Sequence, residues 1–171
     1  RLKPSWRNEL EITDTLQIML EEKQKIIHNT VQSNWKDTGT PEDIIQANNI
    51  IINKMAPIFE GKKENKVKTS GNIIVGKNSI LKEGCKIIGP VIIGENCIIE
   101  KNCIIGPNTS IGNNSKISNS NIQNSIIMIN CKIDFGGRIK DSIISNDSEI
   151  IQKNNENFKV FLLGEGTKIS L

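Results

Sequence analysis

The sequence predicts a mainly β chain wound as a parallel β-helix, and three observations carry that prediction. An aliphatic residue recurs at every sixth position: Val75, Leu81, Ile87, Ile93, Ile99, Ile105, Ile111 and Ile117. Four positions after each stands a small or β-branched residue, Ser79, Cys85, Val91, Cys97, Cys103, Thr109 and Ser115, with Asn121 the poorest match. Turn tripeptides separate them: GKN, KEG, GEN, EKN, GPN and GNN. A six-residue period suits neither a helix nor a hairpin ladder. It suits short strands joined by tight turns, each strand stacking on the one a full coil earlier.

The inward positions follow from the period. Ile and Val pack well on pleated strands, and burying each contributes roughly 1.5–3 kcal/mol, so the axial column outweighs any single surface feature. Gly and Asn tolerate positive φ, which lets each corner close without strain. After Ile117 the spacing slips to five (Ile122, Ile127), returns to six (Ile133, Ile139), then slips again at Ile144 before Ile150. The same solenoid is expected to continue with tighter or bulged corners. The closing FKVFLLGEGTKISL carries a denser apolar run, Val160 to Leu163, expected to cap the open end as solenoids require.

Residues 1–55 have another texture. Leu16, Met19 and Leu20 sit at helical spacing after Asp14, read as an N-cap with Gln17 three residues on. KIIHNTV, from Lys25 to Val31, reads as a short strand, which would leave His28 exposed. Thr40, Pro41 and Asp43 open a second helix with cap, first-turn proline and acidic third position. Its expected inner stripe is Ile44, Ala47, Asn48, Ile51 and Met55. So few elements cannot bury a core of their own. Residues 56–70, lysine-rich and without period, read as a linker, and 71–171 as the β-helix domain.

Composition narrows the functional classes. A net charge of +3 on 171 residues, with four Phe, two Trp and no Tyr, offers few stacking surfaces for bases, so no nucleic-acid partner is expected. No apolar stretch has the length of a membrane span and no signal peptide is visible; a cytoplasmic location is expected. Cys85, Cys97, Cys103 and Cys131 form no C-x-x-C pair. Three of them occupy the small inward position, where they read as buried packing thiols, with a Cys85–Cys103 ladder disulfide as the alternative.

Two segments carry a family resemblance. KPSWRNELEITD (Lys3 to Asp14) and WKDTGTPEDIIQANN (Trp35 to Asn49) resemble the C-terminal end of the catalytic domain in glucose-1-phosphate thymidylyltransferases, a class of sugar nucleotidyltransferase. The likeness is closest to long forms with a hexapeptide-repeat left-handed β-helix after that domain, and it continues through GPVIIGENCIIE, GPNTSIG and NSIIM. The resemblance alone implies the left hand, and it makes residues 1–55 a short α/β remnant of the nucleotidyltransferase domain. It further implies that a sugar 1-phosphate and dTTP are substrates, with Mg2+ as cofactor and none bound to the β-helix. Asp37 aligns with the family's metal-binding, catalytic aspartate, and Arg7 with the arginine that contacts the sugar phosphate. The usual Arg-Gly-Glu reads Arg7-Asn8-Glu9 here. Trp35 reads as a packing anchor.

The family's glycine-rich nucleotide loop and its Glu-Lys-Pro segment are not found in this sequence. The chain therefore reads as a C-terminal piece of a larger protein, inactive alone. Two other functions compete. A hexapeptide acyltransferase acting on an amino-sugar phosphate commonly needs a histidine base, and the repeat has none; zinc hydration chemistry needs three. A purely structural module would assemble through flat faces, as a homotrimer or next a dimer, with Ile98, Ile104 and Ile122 as an apolar seam.

Overall fold

Inward aliphatic residues at a period of six leave room only for strands of two or three residues, and such strands pair in register one coil apart. The computed structural model describes residues 1–32 and 35–152, and the backbone of 160–162. Three parallel sheets form the faces of a β-helix. The first face stacks Ile58–Phe59, Ile73–Val75, Val91–Ile93, Thr109–Ile111, Ile126–Ile127 and Ile143–Ile144. On the second, Lys62–Lys63, Ile80–Leu81, Ile98–Ile99, Lys116–Ser118, Lys132–Asp134 and Glu149–Ile151 lie side by side. Lys68–Ser70, Lys86–Ile88, Ile104–Ile105, Asn121–Gln123 and Arg138–Lys140 make the third.

The predicted column lies inside. Val75, Leu81, Ile87, Ile93, Ile99, Ile105, Ile111 and Ile117 are at most 1% exposed. The period slips are tight corners: Ile99 pairs with Ile117, eighteen residues on, but Ile117 with Ile133, sixteen on. Ile122 and Ile127 keep their inward places despite the shortening. Ile122 is thus core, not part of an apolar seam, while the half-buried Ile98 and Ile104 fall on different faces.

Corners follow the turn chemistry. Asn78, Asn96, Asn114, Asn130 and Asp147 all adopt φ between +56° and +60°. Their side chains join along the edge: each Asn Nδ2 donates to the next Oδ1, at 3.2, 3.3, 3.1 and 2.9 Å. The small inward residues work between coils. Ser79 Oγ donates to the Gly94 carbonyl (2.7 Å), Cys97 Sγ to Gly112 (3.2 Å), Ser115 Oγ to Met128 (3.1 Å) and Cys131 Sγ to Ser145 (3.1 Å).

Residues 56–70 are not a linker. Ile58–Phe59, Lys62–Lys63 and Lys68–Ser70 pair in parallel with the next coil and form the first rung. The apolar period fades because the rung ends the stack and keeps solvent on one side. Phe59 and Lys63 stand in register with Val75 and Leu81, and the Lys63 ammonium lies 5.9 Å from the Phe59 ring centre. Val67 still packs against the core. At the other end Val160–Leu162 adds antiparallel to Glu149–Ile151, so the parallel run stops there. The rest of the expected cap lies outside the described residues.

The chain divides into two units, Arg1–Trp35 and Lys36–Leu171. In the first, helix α1 spans Ile12–Glu21 and is capped at Glu11 without a side-chain bond; Asp14 lies in its first turn rather than at the cap. Lys25–Val31 is not a strand, since none of the described residues pairs with it, and Ile27 and Val31 are exposed. Among the described residues of this unit none is buried, so it holds no core. Helix α2, Pro41–Ile52, opens on Thr40 as expected and falls in the second unit with the β-helix. Among the described residues no helix is long and apolar enough to cross a membrane.

All four thiols are free and buried. Burial, with the Cys103 thiol beside it, pushes Cys85 up to about 11 from an ordinary 9.0. The unfolded thiol ionises near its ordinary value while the folded one stays neutral, so stability present below about pH 9 is lost as pH rises toward 11. The unfolding midpoint of the wild type should fall across that window, and that of Cys85→Ser should fall less; parallel decline would remove the thiol from this role. Ile99→Ala, deleting part of the axial column, should cost about 2–5 kcal/mol in denaturant unfolding. An unchanged midpoint would contradict its placement.

Candidate functional site

A helix start needs acceptors for its free N–H groups, and here those acceptors also hold the chain before them. Thr40 Oγ1 accepts the Asp43 N–H (3.2 Å) and donates to Asp43 Oδ2 (2.7 Å). Lys36 Nζ reaches Asp43 Oδ1 at 2.6 Å. Lys36 first, then the Thr40 hydroxyl, hold the Asp43 carboxyl below the usual carboxylate range. Asp37 follows Lys36 directly and is exposed. Its carboxylate enters no hydrogen bond or ion pair with the described residues. A Cβ on Gly39 would stand 3.8 Å from Asp37 Oδ1, an ordinary contact, so the space beside the carboxylate does not itself demand a glycine.

Helix α2 is in turn seated on the β-helix. It packs on the Thr109–Ile111 strand, with Ile45 and Ile52 at 6% and 2% exposure. Ser110 Oγ donates to Asn48 Oδ1 (2.6 Å), Asn49 Nδ2 to Asn124 Oδ1 (2.7 Å), and Asn72 Nδ2 to the Met55 carbonyl. The inner stripe is therefore Ile45, Asn48, Asn49 and Ile52, one position round from the expected Ile44, Ala47, Asn48, Ile51 and Met55. Both stripes have helical spacing. Ser110 and Asn124 select the one that brings both asparagines inward, and Ile44, Ile51 and Met55 stay exposed.

Arg7 belongs to the first unit and Asp37 to the second, and each has its own surroundings. Arg7 Nη2 lies 2.8 Å from Glu11 Oε1, and its guanidinium is 5.9 Å from the Trp6 ring centre. The Glu11 carboxylate holds its pKa above the ordinary arginine value. Asn8 takes φ +60°, the region glycine favours and asparagine tolerates. Ser5 N–H to Glu9 carbonyl (2.8 Å) and Asn8 N–H to Ser5 carbonyl (2.9 Å) close the turn around it. Asn8 thus keeps the backbone shape that a glycine would give. Trp35 is 74% exposed and, among the described residues, is not the packing anchor expected.

Among the described residues no group of three or more His, Cys, Asp or Glu side chains could hold a metal. Asp37 still fits magnesium in kind, because that ion takes one or two carboxylates and completes its shell from water and phosphate.

The nucleotidyl transferase family model matches residues 1–54, and that of the GMPPB C-terminal domain matches 87–170. A glucose-1-phosphate thymidylyltransferase of Streptomyces antibioticus is 31% identical over 171 residues, covering 99% of this chain and 48% of that protein. The first 54 residues thus match the nucleotidyl transferase family, and the likeness to a sugar-phosphate nucleotidyltransferase runs over nearly the whole chain. Low-salt glycan biosynthesis nucleotidyltransferase Agl11 of Haloferax volcanii is 35% identical over 88% of the chain and 42% of its own length. A bifunctional protein GlmU of Methanococcus maripaludis is 42% identical over 84% and 35%. The chain thus spans about half, or less, of these relatives.

The matched segment 1–54 contains Arg7, Asp37 and most of what supports them. Sequence reasoning missed Glu11 and Lys36. Arg7 and Glu11 stand four residues apart, a spacing that could have flagged the pair; Lys36–Asp43 leaves no such local signal. The link from β-helix to Asp37 through α2 is open to test. Ile52→Ala should loosen α2, raising amide exchange over 41–52 while exchange in the β-helix core holds. Unaltered exchange over 41–52 would count against the seat.

Proposed function

We propose that this chain forms the C-terminal part of a sugar-1-phosphate nucleotidyltransferase that converts glucose 1-phosphate and dTTP to dTDP-glucose and pyrophosphate. What supports the reading is the match of 1–54 to the nucleotidyl transferase model, coupled to a thymidylyltransferase relative that covers 99% of the chain. In this reaction a phosphate oxygen of the sugar 1-phosphate attacks the α-phosphorus of dTTP. The bond from that phosphorus to the β-bridging oxygen breaks, and pyrophosphate leaves with the electron pair.

Asp37 and Arg7 supply two parts of that chemistry. The exposed Asp37 carboxylate would hold Mg2+ together with substrate phosphate oxygens; bound there, the ion neutralises charge on the phosphates. Arg7 would contact the sugar phosphate. A guanidinium carries five donors, so one edge can keep Glu11 while the other meets an anion in bidentate fashion. Catalysis would require a nucleotide-binding half in addition to this chain. The β-helix would serve as scaffold and assembly module in a cytoplasmic homo-oligomer, a trimer before a dimer, which light scattering on the chain would count.

Asp37→Asn in the intact protein should leave the fold unchanged and cut thymidylyl transfer by about a hundredfold or more. Release of pyrophosphate from dTTP and glucose 1-phosphate measures it. Near-normal turnover would take Asp37 out of the site. Acetyl-CoA consumption with glucosamine 1-phosphate, in place of pyrophosphate release, would favour the acyltransferase alternative.

A further inference from the structure

Coil lengths around the edge between the second and third faces are unequal. Leu81 to Ile87, Ile99 to Ile105 and Ile133 to Ile139 each span six residues, whereas Ile117 to Ile122 spans five. The short corner, Ser118-Asn119-Ser120, lies between longer ones at 100–103 and 134–137, and a groove of about 570 Å³ opens there. We propose that this groove binds a phosphate-bearing, hydroxyl-rich small molecule, a sugar phosphate or a nucleotide, using none of the residues assigned above to nucleotidyl transfer.

The walls carry the chemistry for both parts of such a ligand. Asn102, Asn119, Asn121 and Gln152 line the groove, and a carboxamide both donates and accepts, as a row of hydroxyls requires. Ile104 adds an apolar patch for the C–H face of a sugar or base. Lys101 stands on one wall. Lys86 is the ladder neighbour of Ile104, and Arg138 that of Asn121, so two more exposed cations flank the floor.

Around the groove, most of the neighbouring charge is already paired. Along the second face and its corners with the third, Lys66, Lys82, Lys116 and Lys132 pair with Glu83, Glu64, Glu100 and Glu149 and so cancel. Among the described residues Lys86, Lys101 and Arg138 form no such salt bridge, although Lys101 lies within electrostatic reach of Glu64. Asp134, the carboxylate in the lining, accepts from Asn119 Nδ2 at 2.7 Å. The surplus is positive, and a phosphate held by lysine and arginine gains charge-assisted hydrogen bonds. A left-handed turn shapes the groove wall. Gly136 takes φ +67°, and a Cβ there would lie 2.8 Å from Gln152 Oε1. The volume falls within the usual range for small-molecule sites.

Titration of the 171-residue chain with glucose 1-phosphate, thymidine 5′-monophosphate and inorganic phosphate, read by amide chemical shifts and calorimetry, decides the matter. At least one organic phosphate should bind saturably and shift amides at 101–104, 119–121 and 134–137; the tighter of the two identifies the source. Lys101→Ala and, separately, Asn121→Leu should weaken it about tenfold or more with melting temperature unchanged. Asp37→Asn should leave this affinity alone, which keeps the outcome separable from the transferase reading. The proposal is overturned by no saturable binding, by inorganic phosphate binding as tightly as both organic probes, or by affinity that follows Asp37 rather than Lys101.

Discussion

Stacking one aliphatic side chain directly on the next, coil after coil, is the constraint to which the rest of this molecule answers. It requires each corner to turn within a few residues, and a left-handed backbone conformation at the corner makes that turn. Asn78, Asn96, Asn114, Asn130 and Asp147 supply it, and their side chains then bond along the edge. Ser79, Cys97, Ser115 and Cys131 stand just inside, each giving its hydroxyl or thiol proton to a corner carbonyl of the next coil. Serine and cysteine alternate there because both are small and both donate. Buried polar backbone at the corners is thereby satisfied, and the column can stay dry.

A scaffold built this way has little freedom to shift, so whatever is seated on it inherits its position. Helix α2 is seated through Ile45, Ile52 and the Ser110–Asn48 and Asn49–Asn124 bonds. Its N-terminus fixes Lys36 through Asp43, and Asp37 is the next residue. A carboxylate offered to a ligand from an otherwise irregular segment is thus held by a chain of contacts that ends in the β-helix. The repeat domain acts on the candidate site through packing, with no residue of its own in that part.

Much of this was legible in the sequence because the period is strict. Val75 through Ile117 and their small partners could be assigned inward places, and the Thr40-Pro41-Asp43 start of α2 carries a local signature. Three other features were hidden, each for a physical reason. The first rung carries Lys63 and Thr69 where the interior has Leu81 and Ile87, since an end rung faces water, and so 56–70 lost its period. The stripe of α2 was ambiguous by one position because Ile44–Ile45 and Ile51–Ile52 are adjacent pairs. Lys25–Val31 has strand-like composition but no partner among the described residues, and a strand is defined by its neighbour. Asp37 and Arg7 came from motif likeness; neither Glu11 nor Lys36, which hold the surroundings in place, belongs to that motif's chemistry.

The seam beneath α2 is polar where a simple hydrophobic seat would have served. Asn48 Nδ2, Asn49 Oδ1 and Asn72 Oδ1 are buried there without a hydrogen-bonding partner among the described residues. Unmet buried polar atoms cost roughly 1–3 kcal/mol each, so this seam is weaker than two isoleucines at those positions would make it. Polar contacts, unlike apolar ones, have only one register that satisfies them: Ser110 meets Asn48 and Asn124 meets Asn49 at a single setting of the helix. With a second apolar stripe one position away, an all-apolar seat would have tolerated rotation of α2 and with it displacement of Asp37. The asparagines give up some stability and, in return, leave the helix one place to sit.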